Sequence, residues 1–397
     1  MIRFSFFLLL FLIYVPIAAQ NNRTQYPFFL SDHTYFEANL SYINYHFTNL
    51  QMELPFHAES IRIPHIGVRL ILFGYQFNKY ISAQISYTRP VFWVKYVNIN
   101  GDHFAHSMPT NVAGLTMKSQ LPLSKKFIIY GEAGLGIITR TGIVYNDSII
   151  VVKNANYSSF LLGAGLQYRY NQKISYQAGL GWSPSKTKFN QPATTFFYGG
   201  LIYRVHKLSA KRVEDDQNSE FIFPENLLQI GFTTNLFGYG ANNFFSNKIF
   251  PIFWGGDVEV RQGVSITYER NIFHGRKLFS LDWGTNFSYW ESKIGRNKFY
   301  TISLFPVFRF TAFHFARTDL YFDYSVAGPT YISKVTIDHT KIGKKFTFQD
   351  FMGTGVNAGK KRQVNAEIRI LHYSNGDLFP DNSGVKVPLS FSAGYAF

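Results

Sequence analysis

From about residue 35 to its end the chain alternates apolar and polar residues with a period of two. In 278-LFSLDWGTNFSY-289, Phe279, Leu281, Trp283, Phe287 and Tyr289 share one face, and Ser280, Asp282, Gly284, Asn286 and Ser288 share the other. The segments 81-ISAQISYT-88 and 160-FLLGAGLQYRY-170 repeat the pattern. This is the period of a β-strand with one apolar face, suited to lipid, and one polar face, suited to an aqueous or polar interior. No later stretch reaches the roughly 18 consecutive apolar residues that a membrane helix needs. A membrane location therefore demands a closed barrel, in which neighbouring strands satisfy every backbone polar group.

Composition favours that location over a soluble β-sandwich. Aromatic residues make up 18% of the chain and charged residues only 16%, the balance expected of lipid-facing strands with aromatic girdles at both interfaces. The first twenty residues, MIRFSFFLLLFLIYVPIAAQ, carry one early arginine, an apolar run from Phe4 to Tyr14 and small residues at Ala18 and Ala19. They read as a secretory signal peptide spanning 1–20. There is no cysteine, which excludes a disulfide framework, a thiolate metal site, a cysteine nucleophile and a lipoprotein anchor. The formal net charge is +15. For an exported chain the anionic partner at hand is a phosphorylated lipid surface, so no nucleic-acid partner is expected.

Eight alternating segments precede residue 206, one of them spanning 79–98, and eight more follow residue 225. Between them lies 207-KLSAKRVEDDQNSE-220, charged and free of aromatics, which reads as a soluble linker over 207–224. The expected fold is an all-β transmembrane antiparallel β-barrel protein, as two tandem eight-stranded barrels over 21–206 and 225–397, with one sixteen-stranded barrel as the alternative. Inward-facing Gly163, Gly165, Gly179 and Gly181 favour the smaller barrels, whose narrow interiors are filled by side chains. An even strand number returns the chain to its starting side and places the linker in the periplasm. The final strand, 387-VPLSFSAGYAF-397, alternates to a terminal phenylalanine and resembles the last-strand signal of bacterial outer-membrane barrels.

One strand breaks its own pattern. In 365-NAEIRILHYS-374, Asn365, Glu367 and Arg369 lie on one face and Ala366, Ile368 and Ile370 on the other. His372 and Ser374 then continue the apolar face and point outward. Residues i and i+2 of a strand lie roughly 6.5–7 Å apart on the same side. A histidine so placed can accept the serine hydroxyl proton during attack on an ester. The bland reading is a histidine anchored at the membrane interface.

The string HYSNG at 372–376, followed by DNSG at 381–384 and a last strand ending in an aromatic, resembles the C-terminal end of the lipid A 3-O-deacylase family of outer-membrane hydrolases. The resemblance covers about 348–397. It implies Ser374 as nucleophile, His372 as general base, and Asn375 with the following turn, including Asp377, as oxyanion hole. It also implies lipopolysaccharide of the outer leaflet as substrate, through the 3-linked hydroxyacyl chain of its lipid A, and neither cofactor nor metal. The family orients its histidine with a glutamate twelve residues after the serine, where this chain has Lys386, and a lysine cannot accept the imidazole hydrogen bond. Asp381, Asp377 and Asp338 are the candidate replacements. A turn near 357-NAGK-360 would leave Asp350 five positions, roughly 16 Å, short of His372, which excludes it.

The same string is similar to that of the outer-membrane phospholipase A family, an alternative enzyme reading. A structural or transport barrel without catalysis is the alternative of a different class, supported by Lys386. The N-terminal half offers no chemical constellation. In 103-HFAH-106 the two histidines sit at i and i+3, on opposite faces of a strand, with no acid spaced to complete a metal site.

Overall fold

The computed structural model describes residues 23–30, 32–145, 149–246, 256–376, 378–379 and 381–397. The expected signal peptide lies outside the described residues. The chain forms two closed antiparallel eight-stranded barrels in tandem, so the sixteen-stranded alternative does not hold. The reason lies in the pairings: each set of eight strands closes on itself, the first strand of a set pairing with the last.

The first barrel comprises β1 (Thr34–Tyr45), β2 (Ile66–Gln76), β3 (Ile81–Pro90), β4 (Thr110–Pro122), β5 (Phe127–Arg140), β6 (Ala155–Arg169), β7 (Ile174–Ser183) and β8 (Thr194–Arg204). The expected segment 79–98 is not one strand. β3 stops at Pro90, which has no N–H to extend the ladder. Val94–Ile99 leaves the barrel to form a three-stranded sheet with Ala58–Arg62 and Ala105–Met108.

The interior of this barrel is polar and filled. Arg69 lies 2.8 Å from Glu132, and Lys118 lies 3.0 Å from Glu37. The Tyr130 and Tyr198 hydroxyls are 2.9 Å apart. The glycines make room for these rings. A Cβ at Gly165 would collide with the Tyr130 hydroxyl, and one at Gly179 would come within 2.6 Å of the same oxygen. Gly165→Val is therefore expected to lower the folded fraction of the barrel, read as loss of the heat-dependent gel shift, at a cost of about 1–3 kcal/mol. An unchanged folded fraction would contradict the packing.

The 207–224 stretch contains a short helix, α1 (Ala210–Gln217), which the charge pattern did not announce. The Ser209 side chain caps it by accepting the Arg212 N–H at 3.3 Å.

The second barrel comprises β9 (Asn226–Thr234), β10 (Val258–His274), β11 (Phe279–Ser292), β12 (Lys298–Phe315), β13 (Thr318–Ile332), β14 (Phe346–Ala358), β15 (Val364–Ser374) and β16 (Val385–Ala396). Short turns at 275–278, 316–317 and 359–363 join strands at one end, and longer connections lie at the other, one of which carries helix α2 (Gly240–Ser246). Toward the short turns the interior is ionic: Arg369 contacts Glu269 at 2.7 Å and Asp323 at 2.5 Å, and Arg309 contacts Glu269 at 2.5 Å. Toward the long connections it is apolar, built on Trp290, Phe299, Phe305, Phe351, Tyr373 and Val387.

Candidate functional site

β15 carries the site because its side chains alternate without interruption along β14, from Ala358↔Val364 to Phe348↔Ser374. Arg369 reaches the interior carboxylates, and the Tyr373 hydroxyl lies 3.1 Å from Thr301 Oγ1 inside the barrel. Ile368, Ile370, His372 and Ser374 consequently occupy the outer face, at the long-connection end. His372 is nonetheless buried.

The neighbour of His372 on β16 is decided by a bulge. Arg369 pairs with Ser390, but Leu371 pairs with Val387, so Pro388 and Leu389 together oppose Ile370. The extra residue turns Lys386 rather than Val387 to the side of the imidazole, as the pair His372↔Lys386. Lys386 Nζ lies 3.1 Å from Glu259 Oε1 and 3.3 Å from Asn243 Oδ1 of α2. Glu259 also receives Lys293 at 2.7 Å.

On the other flank stands a residue that the sequence reading excluded. Asp350 pairs directly with His372 across β14 and β15, with His372 Nδ1 3.6 Å from Asp350 Oδ2. The expected separation of roughly 16 Å was wrong because the turn lies at 359–363 rather than near 357–360. Moving the centre of a hairpin by two or three residues shifts its register by twice as many. The true turn is held by Gly359 at φ +97° and Arg362 at φ +57°, whose guanidinium reaches Asp319 at 2.7 Å and the Phe315 carbonyl at 2.8 Å.

A second bulge faces Asp350. Ser325 pairs with Phe351 and Gly328 with Gln349, so Val326 and Ala327 both stand opposite Asp350. Ala327 adopts φ +56°, in the left-handed region, and its N–H donates to Asp350 Oδ1 at 2.6 Å.

The three carboxylates expected to orient His372 fare differently. Asp338 spends both oxygens elsewhere, accepting the Ile294 N–H at 3.1 Å, the Gly295 N–H at 2.8 Å and the Ser292 hydroxyl at 2.5 Å. It caps the 293–297 connection and is not available. Asp381 sits at φ +65° in the 375–384 connection, and among the described residues no hydrogen bond or ion pair joins it to His372. Asp377 lies outside the described residues. Asn375 follows Ser374 directly; its backbone N–H donates to Asn382 Oδ1 at 2.7 Å. Its side-chain amide is buried, with no hydrogen-bond partner among the described residues.

In the three-stranded sheet of the N-terminal half, His106 of the HFAH segment lies 2.6 Å from Asp102 and 3.2 Å from the Tyr145 hydroxyl. Among the described residues no group of three or more His, Cys, Asp or Glu side chains is arranged to hold a metal ion.

Residues 261–394 match the family model of lipid A 3-O-deacylase (PagL). The C-terminal segment is thus PagL-like, and the match contains Asp350, His372, Ser374, Asn375 and Lys386. Residues 31–207 match the model of the OmpA-like transmembrane domain. Among solved structures, the outer membrane enzyme PagL is 16% identical, with a TM-score of 0.33, over 43% of this chain and 99% of that one. The N-terminal β-barrel domain of Pseudomonas aeruginosa OprF is 15% identical, with a TM-score of 0.26, over 43% of this chain and 97% of that one. The attachment invasion locus protein Ail of Yersinia pestis, solved with a heparin analogue, is 14% identical, with a TM-score of 0.28, over 43% and 99%. No curated protein matches the chain. The OmpA-like match spans the first closed barrel and the PagL-like match lies within the second, and together they indicate a Gram-negative outer-membrane protein.

Proposed function

We propose that the C-terminal barrel is an esterase that removes an ester-linked acyl chain from the lipid A of lipopolysaccharide, with Ser374 as nucleophile and His372 as general base. The observation that carries this reading is the shared outward face of His372 and Ser374 on β15, within the PagL-like segment. A lipid in the membrane can present its ester to such a wall without leaving the bilayer.

His372 Nε2 takes the Ser374 hydroxyl proton as Oγ attacks the ester carbonyl carbon. Asn375, the next residue in the chain after the nucleophile, is the proposed donor for the tetrahedral oxyanion. Collapse of the intermediate expels the sugar alkoxide, which takes the proton from the imidazolium, and leaves an acyl-serine. Water, deprotonated by the same imidazole, then releases the fatty acid and restores Ser374. No step uses a metal or cofactor.

The protein, purified and refolded in detergent, is to be offered lipopolysaccharide and glycerophospholipid in separate reactions. Release of a 3-hydroxy fatty acid from the first is expected. Release of unsubstituted fatty acid from the second alone would transfer the reading to a phospholipase A, and release from neither would favour a barrel without catalysis.

A further inference from the structure

We infer that Asp350 is the residue that positions the His372 imidazole for catalysis, taking over from a strand on the opposite flank the task that the resemblance assigns to position 386. The inference rests on the Ser374 and His372 reading given above. Its basis is a row of three outward side chains across adjacent strands, Asp350 on β14, His372 on β15 and Lys386 on β16.

The two flanks of the imidazole differ in charge. Lys386 offers only N–H donors, is engaged by Glu259 at 3.1 Å, and cannot accept from a ring nitrogen. Asp350 offers an acceptor, with Oδ2 3.6 Å from His372 Nδ1. Contacts of this kind are often long before substrate binds and tighten in the complex. Once the contact shortens to hydrogen-bond distance, a proton held on Nδ1 by this carboxylate leaves Nε2 as the acceptor for the Ser374 hydroxyl, the tautomer that the attack requires.

The backbone of β13 supports the assignment independently. Two residues oppose Asp350 where one would continue the ladder, and Ala327 takes a left-handed conformation that an alanine rarely adopts. The consequence is an N–H aimed at Asp350 Oδ1 at 2.6 Å. One carboxylate oxygen is thereby anchored to the backbone while the other is presented to the imidazole. Bulges that re-aim a side chain in this way recur beside active sites, and an outer-shell hydrogen bond of this sort holds a reacting group in its working geometry.

The test separates this role from a purely structural one. Asp350→Asn keeps an oxygen for the Ala327 N–H and removes only the charge, so the bulge and the heat-dependent gel shift of the barrel should be preserved. Hydrolysis of lipopolysaccharide by this variant is expected to lose about 10²–10⁴-fold in kcat with KM little changed. Asp350→Glu, which retains a carboxylate, should recover part of the loss. Asp350→Asn combined with Lys386→Glu, which moves the acid to the other flank, should also exceed Asp350→Asn alone. A wild-type kcat for folded Asp350→Asn, with Ser374→Ala inactive, would overturn the assignment of Asp350 and leave the proposed esterase standing. A rate above wild type for Lys386→Glu alone would likewise show that the acid belongs at 386. Full activity in Ser374→Ala would remove both.

Discussion

Ser374→Ala is expected to lower acyl release from lipopolysaccharide by on the order of 10⁶-fold, to the level of background hydrolysis. The size follows from the role: without Oγ there is no acyl-enzyme, and the imidazole has no proton to take. His372→Ala should cost nearly as much, and the double variant little more than either single one, because residues of one catalytic unit lose their effects together rather than additively. Neither side chain lies in the barrel interior, so both variants should retain the heat-dependent gel shift of the folded barrel. Quantifying released hydroxy fatty acid against time for the three variants checks the expectation. Additive losses in the double variant would show that the two residues do not act as a unit.

The second large effect concerns stability. Arg369 lies inside the second barrel within ion-pair distance of Glu269, Asp323 and Glu367. Its side chain is 7% exposed. Arg369→Ala would leave these three carboxylates with Arg309 as the remaining guanidinium of the cluster. Removing one partner of a buried ion pair costs about 3–5 kcal/mol, since the abandoned charge keeps its desolvation penalty. A lower urea midpoint for the C-terminal barrel is therefore expected, with the first barrel unaffected because it holds its own network around Arg69 and Glu132. An unchanged midpoint would mean that the cluster is not the electrostatic centre described.

The strand count, the parity of the segments 81–88, 160–170, 278–289 and 365–374, and with it the outward position of His372 and Ser374, were legible, because a two-residue period survives any error in strand ends. Register was not. The hairpin between β14 and β15 had no unique turn signal, since 357-NAGKKR-362 offers several centres, and a small misplacement hid the pairing of Asp350 with His372. The bulge at Pro388 left a mark that could have been used: a proline lacks the N–H of a ladder residue and settles where pairing is broken. The bulge at Ala327 left none, because alanine carries no preference for the left-handed region. The short sheet containing Val94–Ile99 was missed for a related reason. Its alternation is that of any strand, and only Pro90 separates it from β3.

The most direct measurement is the mass of lipid A extracted from cells that carry the gene, from cells that lack it, and from cells that carry Ser374→Ala. One hydroxyacyl chain is expected to be missing only where the intact serine is present. Identical lipid A from all three would contradict this expectation.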